Sequence, residues 1–151
     1  MLRLSKLTDY AIVLLGHFAH GEEPSWTARA LAVKSKLPLP TVSKVLKTLA
    51  RSGLLDSQRG VAGGYALAKA PEVITIADVI AAIDGPIALT ECVDEQALCG
   101  LESSCPSKGH WTRINAAVRG ALQSLTIRDM TAPHFAPPHE QLVRLGARRS
   151  P

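Results

Sequence analysis

Apolar residues recur at intervals of three and four along most of this chain, and the gaps between these stripes divide it into helices with one extended interruption. The first stripe is Leu7, Ala11, Leu14, Leu15 and Phe18 within KLTDYAIVLLGHFA, where Ser5 is placed to cap the helix and Gly21 to stop it. Turn signals at Glu23, Pro24 and Ser25 precede TARALAVKSK, which predicts a short second helix from Thr27 that ends before Leu37 and Pro38. A third helix begins at about Pro40. In TVSKVLKTLARSG, helical geometry puts Val42, Val45, Leu46 and Leu49 on one side and Lys44, Lys47 and Arg51 on the other. Gly53 predicts its C-cap, after which LLDSQRG, VAGG and YALAKA read as two short strands around a glycine-rich turn.

Helix, helix, helix, hairpin is the order of a winged helix-turn-helix, here spanning residues 1–70. The third helix has the diameter to enter a major groove, with cationic groups on its outer face meeting phosphates. Pro40, Thr41, Ser43 and Lys44 occupy the first turn and a half, where recognition helices touch base edges, while Lys47 and Arg51 are placed to hold phosphates. Thr27, at the start of the second helix, joins this candidate DNA-binding set. Arg59 falls at the wing tip within reach of a minor groove, and Gly60, Gly63 and Gly64 permit close backbone approach, with Tyr65 beneath. Basic residues on one amphipathic helix are also compatible with a merely solvated face; the adjoining basic, glycine-rich wing favours DNA. A formal charge of +4 and a pI near 9.2 suit a polyanionic partner without specifying one.

Past residue 70 the chain changes character. TIADVIAAIDG predicts a connecting helix within 71–90, opened by the capping pair Thr75 and Asp78, closed by Gly85 and Pro86, and buried along Ile76, Val79, Ile80 and Ile83. HWTRINAAVRGALQSLTIRDM then predicts a long amphipathic helix over 111–130, with Trp111, Ile114, Val118, Ala121, Leu122 and Leu125 at spacings of three and four. A stripe of that length wants a partner, either a second copy in a symmetric dimer reading a pseudo-palindrome or its own domain. Residues 131–151, rich in proline and charge, predict a flexible tail carrying His134 and His139. The expected fold class is therefore mainly α with a small β-wing: a winged helix-turn-helix domain plus a long C-terminal dimerisation helix.

Between these two helices, residues 91–110 hold all three cysteines of the chain, Cys92, Cys99 and Cys105. An odd number of thiols cannot all pair internally, and thiolates at loop spacing ligate soft metals or iron–sulfur clusters. His110 supplies a possible fourth ligand, since imidazole replaces thiolate on iron in some clusters, and the same four residues have the right types for a structural zinc site. A metal-free thiol switch pairing Cys92 or Cys99 with Cys105 is a further option. Free thiols fit a reducing cytoplasm, and no run reaches the roughly 18 apolar residues that would span a membrane. No phosphate loop, nucleophile elbow or paired catalytic carboxylates stand out, so an enzyme is not expected.

The opening LRLSKLTDYA, the block RGVAGGYALAK, the helix ITIADVIAAIDGP and the three-cysteine loop, taken in order, resemble the IscR and NsrR type of bacterial iron–sulfur winged-helix regulators over about residues 1–130. ALTEC, SCPSKGHW and TIRDM look most like the branch that regulates the SUF iron–sulfur assembly system. The resemblance implies a homodimeric transcription regulator without enzymatic activity, in which Cys92, Cys99 and Cys105 ligate a [2Fe-2S] or [4Fe-4S] cluster whose occupancy controls promoter binding. It implies two candidates for the fourth ligand: His110, though at a wider spacing than the IscR branch uses, and Asp9, because KLTDYA resembles the NsrR pattern in which a helix-1 carboxylate of the partner completes the site. On a helical wheel Asp9 lies opposite the Leu7, Ala11, Leu14 stripe, facing away from its own core. Sensing of cluster supply, redox state or nitric oxide is compatible with such a site.

Overall fold

The computed structural model describes residues 4–21, 23–58, 60, 63–93, 99 and 105–132. Among these residues, six helices and a two-stranded sheet follow one another as α1 (Lys6–Ala19), α2 (Ala28–Ser35), α3 (Leu39–Arg51), β1 (Leu55–Gln58), β2 (Gly64–Leu67), α4 (Ile76–Asp84), α5 (Lys108–Gln123) and α6 (Ile127–Thr131), with a 3₁₀ turn at Glu91–Val93. The winged-helix order expected from the sequence is the observed one. Among the described residues no helix is long and apolar enough to cross a membrane.

Local chemistry sets most of the boundaries. The side chains of Ser5, Thr27, Thr75 and Thr126 accept hydrogen bonds from the first-turn amides of α1, α2, α4 and α6. α3 closes on Gly53, whose φ of +73° is open to a residue without Cβ. The Leu54 and Gly53 amides donate back to the Leu49 and Ala50 carbonyls, the paired bonds of a Schellman ending. β1 and β2 are antiparallel, with Leu55 opposite Leu67 and Gln58 opposite Gly64. Trp26 extends this sheet from the loop before α2, exchanging two 2.8 Å backbone bonds with Tyr65.

One core serves all of these elements. Ala11, Leu14, Leu15 and Phe18 of α1 meet Leu31 of α2, Val42, Val45, Leu46 and Leu49 of α3, and Ile76, Val79 and Ile80 of α4, closed by Leu55, Ile74 and Ile127. α4 is thus part of the winged domain rather than an appendage to it. Its C-terminal Asp84 returns to the start of α1, where the buried Thr8 hydroxyl donates to Asp84 Oδ2 at 2.7 Å and the Ser5 amide at 3.3 Å. Desolvation pushes the Asp84 pKa up, but hydrogen bonds from Ser5 and Thr8 outweigh it and leave the carboxyl below its ordinary value. A depressed carboxyl pKa contributes stability that is present above the unfolded value near 3.9 and is lost as pH falls through the lower folded value. Asp84→Asn should therefore be less stable than the parent at pH 7, by about 1 kcal/mol or less for a largely exposed group. Urea titrations at a series of pH values should find this gap closing below pH ~4; a gap independent of pH would contradict the assignment.

The C-terminal helix departs from expectation. The segment predicted as one helix over 111–130 is two, because α5 ends at Gln123 and α6 begins at Ile127. Between them the chain turns extended and pairs with the segment entering α4: the Ile76 amide donates to the Leu125 carbonyl and the Ile127 amide to the Ile74 carbonyl, each at 2.9 Å, around a Thr75–Thr126 bridge. A second capping box, Thr126 with Asp129, starts α6 beside the first, Thr75 with Asp78. α6 lies against α1, where Ile127 is fully buried and Arg128 donates to the Ala19 carbonyl and to Glu72. Tertiary pairing together with the Thr126–Asp129 capping box separates α5 from α6, and an apolar spacing continuous through Leu122 and Leu125 did not show the interruption.

Candidate functional site

Two regions carry the residues singled out in the sequence. On the first, α3 presents Pro40 and Lys44 at its exposed start, Thr41 and Ser43 half-buried beside them, and Lys47 and Arg51 exposed further along. The opposite side of the helix holds Val42, Val45, Leu46 and Leu49 in the core, so the cations are directed outward by the same packing that fixes the helix. Lys47 joins Thr27, Ala28, Ser57, Gln58, Gly60, Gly63, Gly64 and Tyr65 around an open cleft of about 500 Å³ between α2, α3 and the wing. Ser57 and Gln58 were not anticipated there; both are exposed on β1, whose Leu55 is buried. Arg59 lies outside the described residues.

The wing glycines have a packing role. A Cβ on Gly63 would stand 2.7 Å from the Gln58 and Gly60 carbonyl oxygens, and one on Gly64 2.9 Å from the Trp26 carbonyl oxygen. All three neighbours are backbone and cannot swing away, so the tight crossing that forms the wing demands glycine whether or not a ligand approaches. Thr27 is likewise committed locally, its hydroxyl accepting from the Ala30 amide at 3.1 Å. Gly64→Ala should break the Trp26–Tyr65 pair, costing about 1–3 kcal/mol. Amide exchange at Trp26 and Tyr65 reads this directly; protection equal to the parent's would show that the crossing tolerates a methyl group.

On the second region, Cys92, Cys99 and Cys105 are half-buried free thiols. Cys92 sits in the 3₁₀ turn with its Sγ 3.1 Å from Thr90 Oγ1, and Cys105 precedes α5, its carbonyl accepting weakly from the Lys108 amide. His110 is exposed in the first turn of α5, where it lines a groove of about 340 Å³ with Arg113, Ile114 and Ala117. Asp9 is exposed on α1, one turn before the exposed Val13. The donor set fits a thiophilic metal or cluster in kind: three unpaired thiols, an imidazole and a carboxylate. In geometry it is not assembled, since among the described residues no three His, Cys, Asp or Glu side chains converge on a metal position.

Sequence reasoning missed what holds this segment. Asn115 is the buried residue of α5; its Oδ1 accepts from the Leu89 amide and its Nδ2 donates to the Ile87 carbonyl, both at 3.1 Å. A polar residue interrupting the stripe between Ile114 and Val118 was the signal. The stripe itself is incompletely covered, with Trp111 38% and Ile114 45% exposed.

Comparison with known proteins bears on both regions at once. Residues 4–133 match the model of the Rrf2 family, described as an iron-dependent transcriptional regulator. The regulator NsrR of Shouchella clausii is 28% identical over 131 residues, covering 85% of this chain and 88% of that protein. The regulator IscR of Photorhabdus laumondii is 25% identical over 130 residues, covering 85% and 79%. The solved structure of CymR, the global cysteine regulator of B. subtilis, superposes with a TM-score of 0.68 at 29% identity, over 87% of this chain and 97% of that one. With the winged fold in place and the match running through the cysteine segment to the end of α6, the chain belongs to the Rrf2 family of transcriptional regulators.

Proposed function

We propose that this regulator acts as a homodimer on a pseudo-palindromic operator and senses iron–sulfur cluster status through Cys92, Cys99 and Cys105, controlling genes of cluster assembly. The observation that carries this proposal is the placement of the thiols: every cysteine of the chain is free, half-buried, and on the one segment joining α4 of the winged domain to α5. A cluster there would supply a ligation that oxidants or nitric oxide can undo. The chain's own residues supply the rest. Lys47 and Arg51 neutralise phosphates, Thr41, Ser43 and Lys44 stand over base edges, and the uncovered Trp111 and Ile114 of α5 meet a second copy. Asp9, exposed on α1 and outside its own core, is positioned to meet a neighbouring subunit, whereas His110 would complete the set from within one chain. A two-fold dimer fixes its recognition helices about 34–36 Å apart, so a modest rearrangement at the cysteine segment suffices to change operator affinity.

Anaerobic purification followed by ultraviolet–visible absorption and iron and sulfide analysis tests this. Wild-type protein should be coloured with near-stoichiometric iron and sulfide, Cys92→Ala colourless, and only one of Asp9→Ala and His110→Ala altered in spectrum. Colourless wild type holding zinc alone, or no metal after anaerobic reconstitution, would replace cluster sensing with a structural zinc site or a thiol switch. Cluster loss on stoichiometric nitric oxide, with release of a nitric-oxide-responsive operator, would move the signal to the NsrR type.

A further inference from the structure

Both ends of the cysteine segment are tied to the same helix. Cys105 is attached by chain continuity, lying three residues before Lys108 at the start of α5. The other end is attached by a side chain. Asn115 reaches from the second turn of α5 to two peptide groups of the segment leaving α4, accepting from Leu89 and donating to Ile87. Leu89 is followed directly by Thr90, whose hydroxyl contacts Cys92 Sγ and whose carbonyl accepts from the Val93 amide to close the 3₁₀ turn carrying that cysteine.

A buried amide is costly unless its donor and acceptor are both satisfied, and an apolar residue would serve the α5 stripe better at this position. Asn115 satisfies both of its groups on the backbone just before Cys92, and in doing so pairs the Leu89 amide and the Ile87 carbonyl. We propose that Asn115 is a positioning residue that fixes Cys92 to α5, so that one rigid helix sets the separation of the first and last thiols of the segment and transmits to itself any change at Cys92. The clamp stands on its own geometry; its relevance to cluster binding rests on the function proposed above.

The test separates the two. In reduced, metal-free protein, the rates of iodoacetamide modification of Cys92 and Cys105 are measured by mass spectrometry for wild type, Asn115→Leu and Leu122→Ala. Asn115→Leu keeps an apolar volume in the helix face but removes both hydrogen bonds; Leu122→Ala loosens α5 packing without touching them. Cys92 modification is expected to rise about tenfold in Asn115→Leu, with Cys105 within about twofold of wild type and Leu122→Ala within about twofold at both sites. An unchanged Cys92 rate in Asn115→Leu, an equal rise at Cys105, or an equal rise in Leu122→Ala would each overturn the proposal. In anaerobically reconstituted protein, Asn115→Leu is expected to lose its visible absorption to a chelator about tenfold faster than wild type; loss at the wild-type rate would overturn the link to cluster binding. Should wild type take up no cluster, the function proposed above fails while the modification rates still decide the clamp.

Discussion

Ile127→Ala should destabilise the protein by about 3 kcal/mol, the range for truncating a fully buried Ile in a packed core, with the spread set by how far the site collapses. The residue is 0% exposed, and its amide completes the pairing of the α6 entry with Ile74. Met130, three residues on and 46% exposed, is the internal control, and Met130→Ala should change stability by about 0.5 kcal/mol or less. Urea denaturation gives both values. Amide exchange at Ile76 and Ile127 should show in addition that the seam between the two extended segments opens well before the remaining core in Ile127→Ala. Since that seam joins α5 to the winged domain, operator affinity should fall in Ile127→Ala at temperatures where α1 to α3 remain folded. A cost below 1 kcal/mol would mean that α6 does not pack as described.

Replacing Lys44, Lys47 and Arg51 together by alanine should abolish measurable operator binding at physiological salt. If Lys47 and Arg51 each neutralise one phosphate, the slope of log affinity against log salt loses about 0.9 per contact, or about 3.6 for the two contacts doubled in a dimer. Fluorescence anisotropy between 50 and 200 mM salt measures that slope. Stability should hardly move, because all three side chains are exposed and the opposite face of α3 is untouched. Thr41→Ala should behave differently, leaving the slope intact while relaxing base preference at one position of each half-site. An unaltered slope in the triple variant would place the DNA-binding face elsewhere.

Helices whose ends are set by their own side chains were legible from sequence. Ser5, the Thr75–Asp78 box and Gly53 each act within a few residues, and the structure uses them as the spacing predicted. Features made by distant pairings were not. Thr126 and Asp129 spell the same capping signature as Thr75 and Asp78, yet the break before them is enforced by Ile74 and Ile76, some fifty residues earlier. Gly63 and Gly64 were legible as wing residues, but the reason for them is the Trp26 and Gln58 backbone, which no local pattern places there. At the cysteine segment the sequence disclosed the kind of donor, because thiol chemistry is local to each residue. It could not disclose Asn115, whose role depends on where residues 87–89 lie after folding.

The chain leaves the winged domain at the end of α4 and returns to it at the seam between Ile74–Ile76 and Leu125–Ile127. Everything between α4 and that point is a closed excursion, and the entropy of closing such a loop grows only logarithmically, at about 0.6 kcal/mol for each doubling of length. Insertions, deletions and exchanges of ligands between α4 and α5 therefore leave the DNA-reading unit almost undisturbed, provided α4, α5 and both segments of the seam are kept. One architecture can in this way accumulate sensors of unrelated chemistry over evolutionary time, and a designer seeking a regulator for a new signal would graft between the end of α4 and the start of α5.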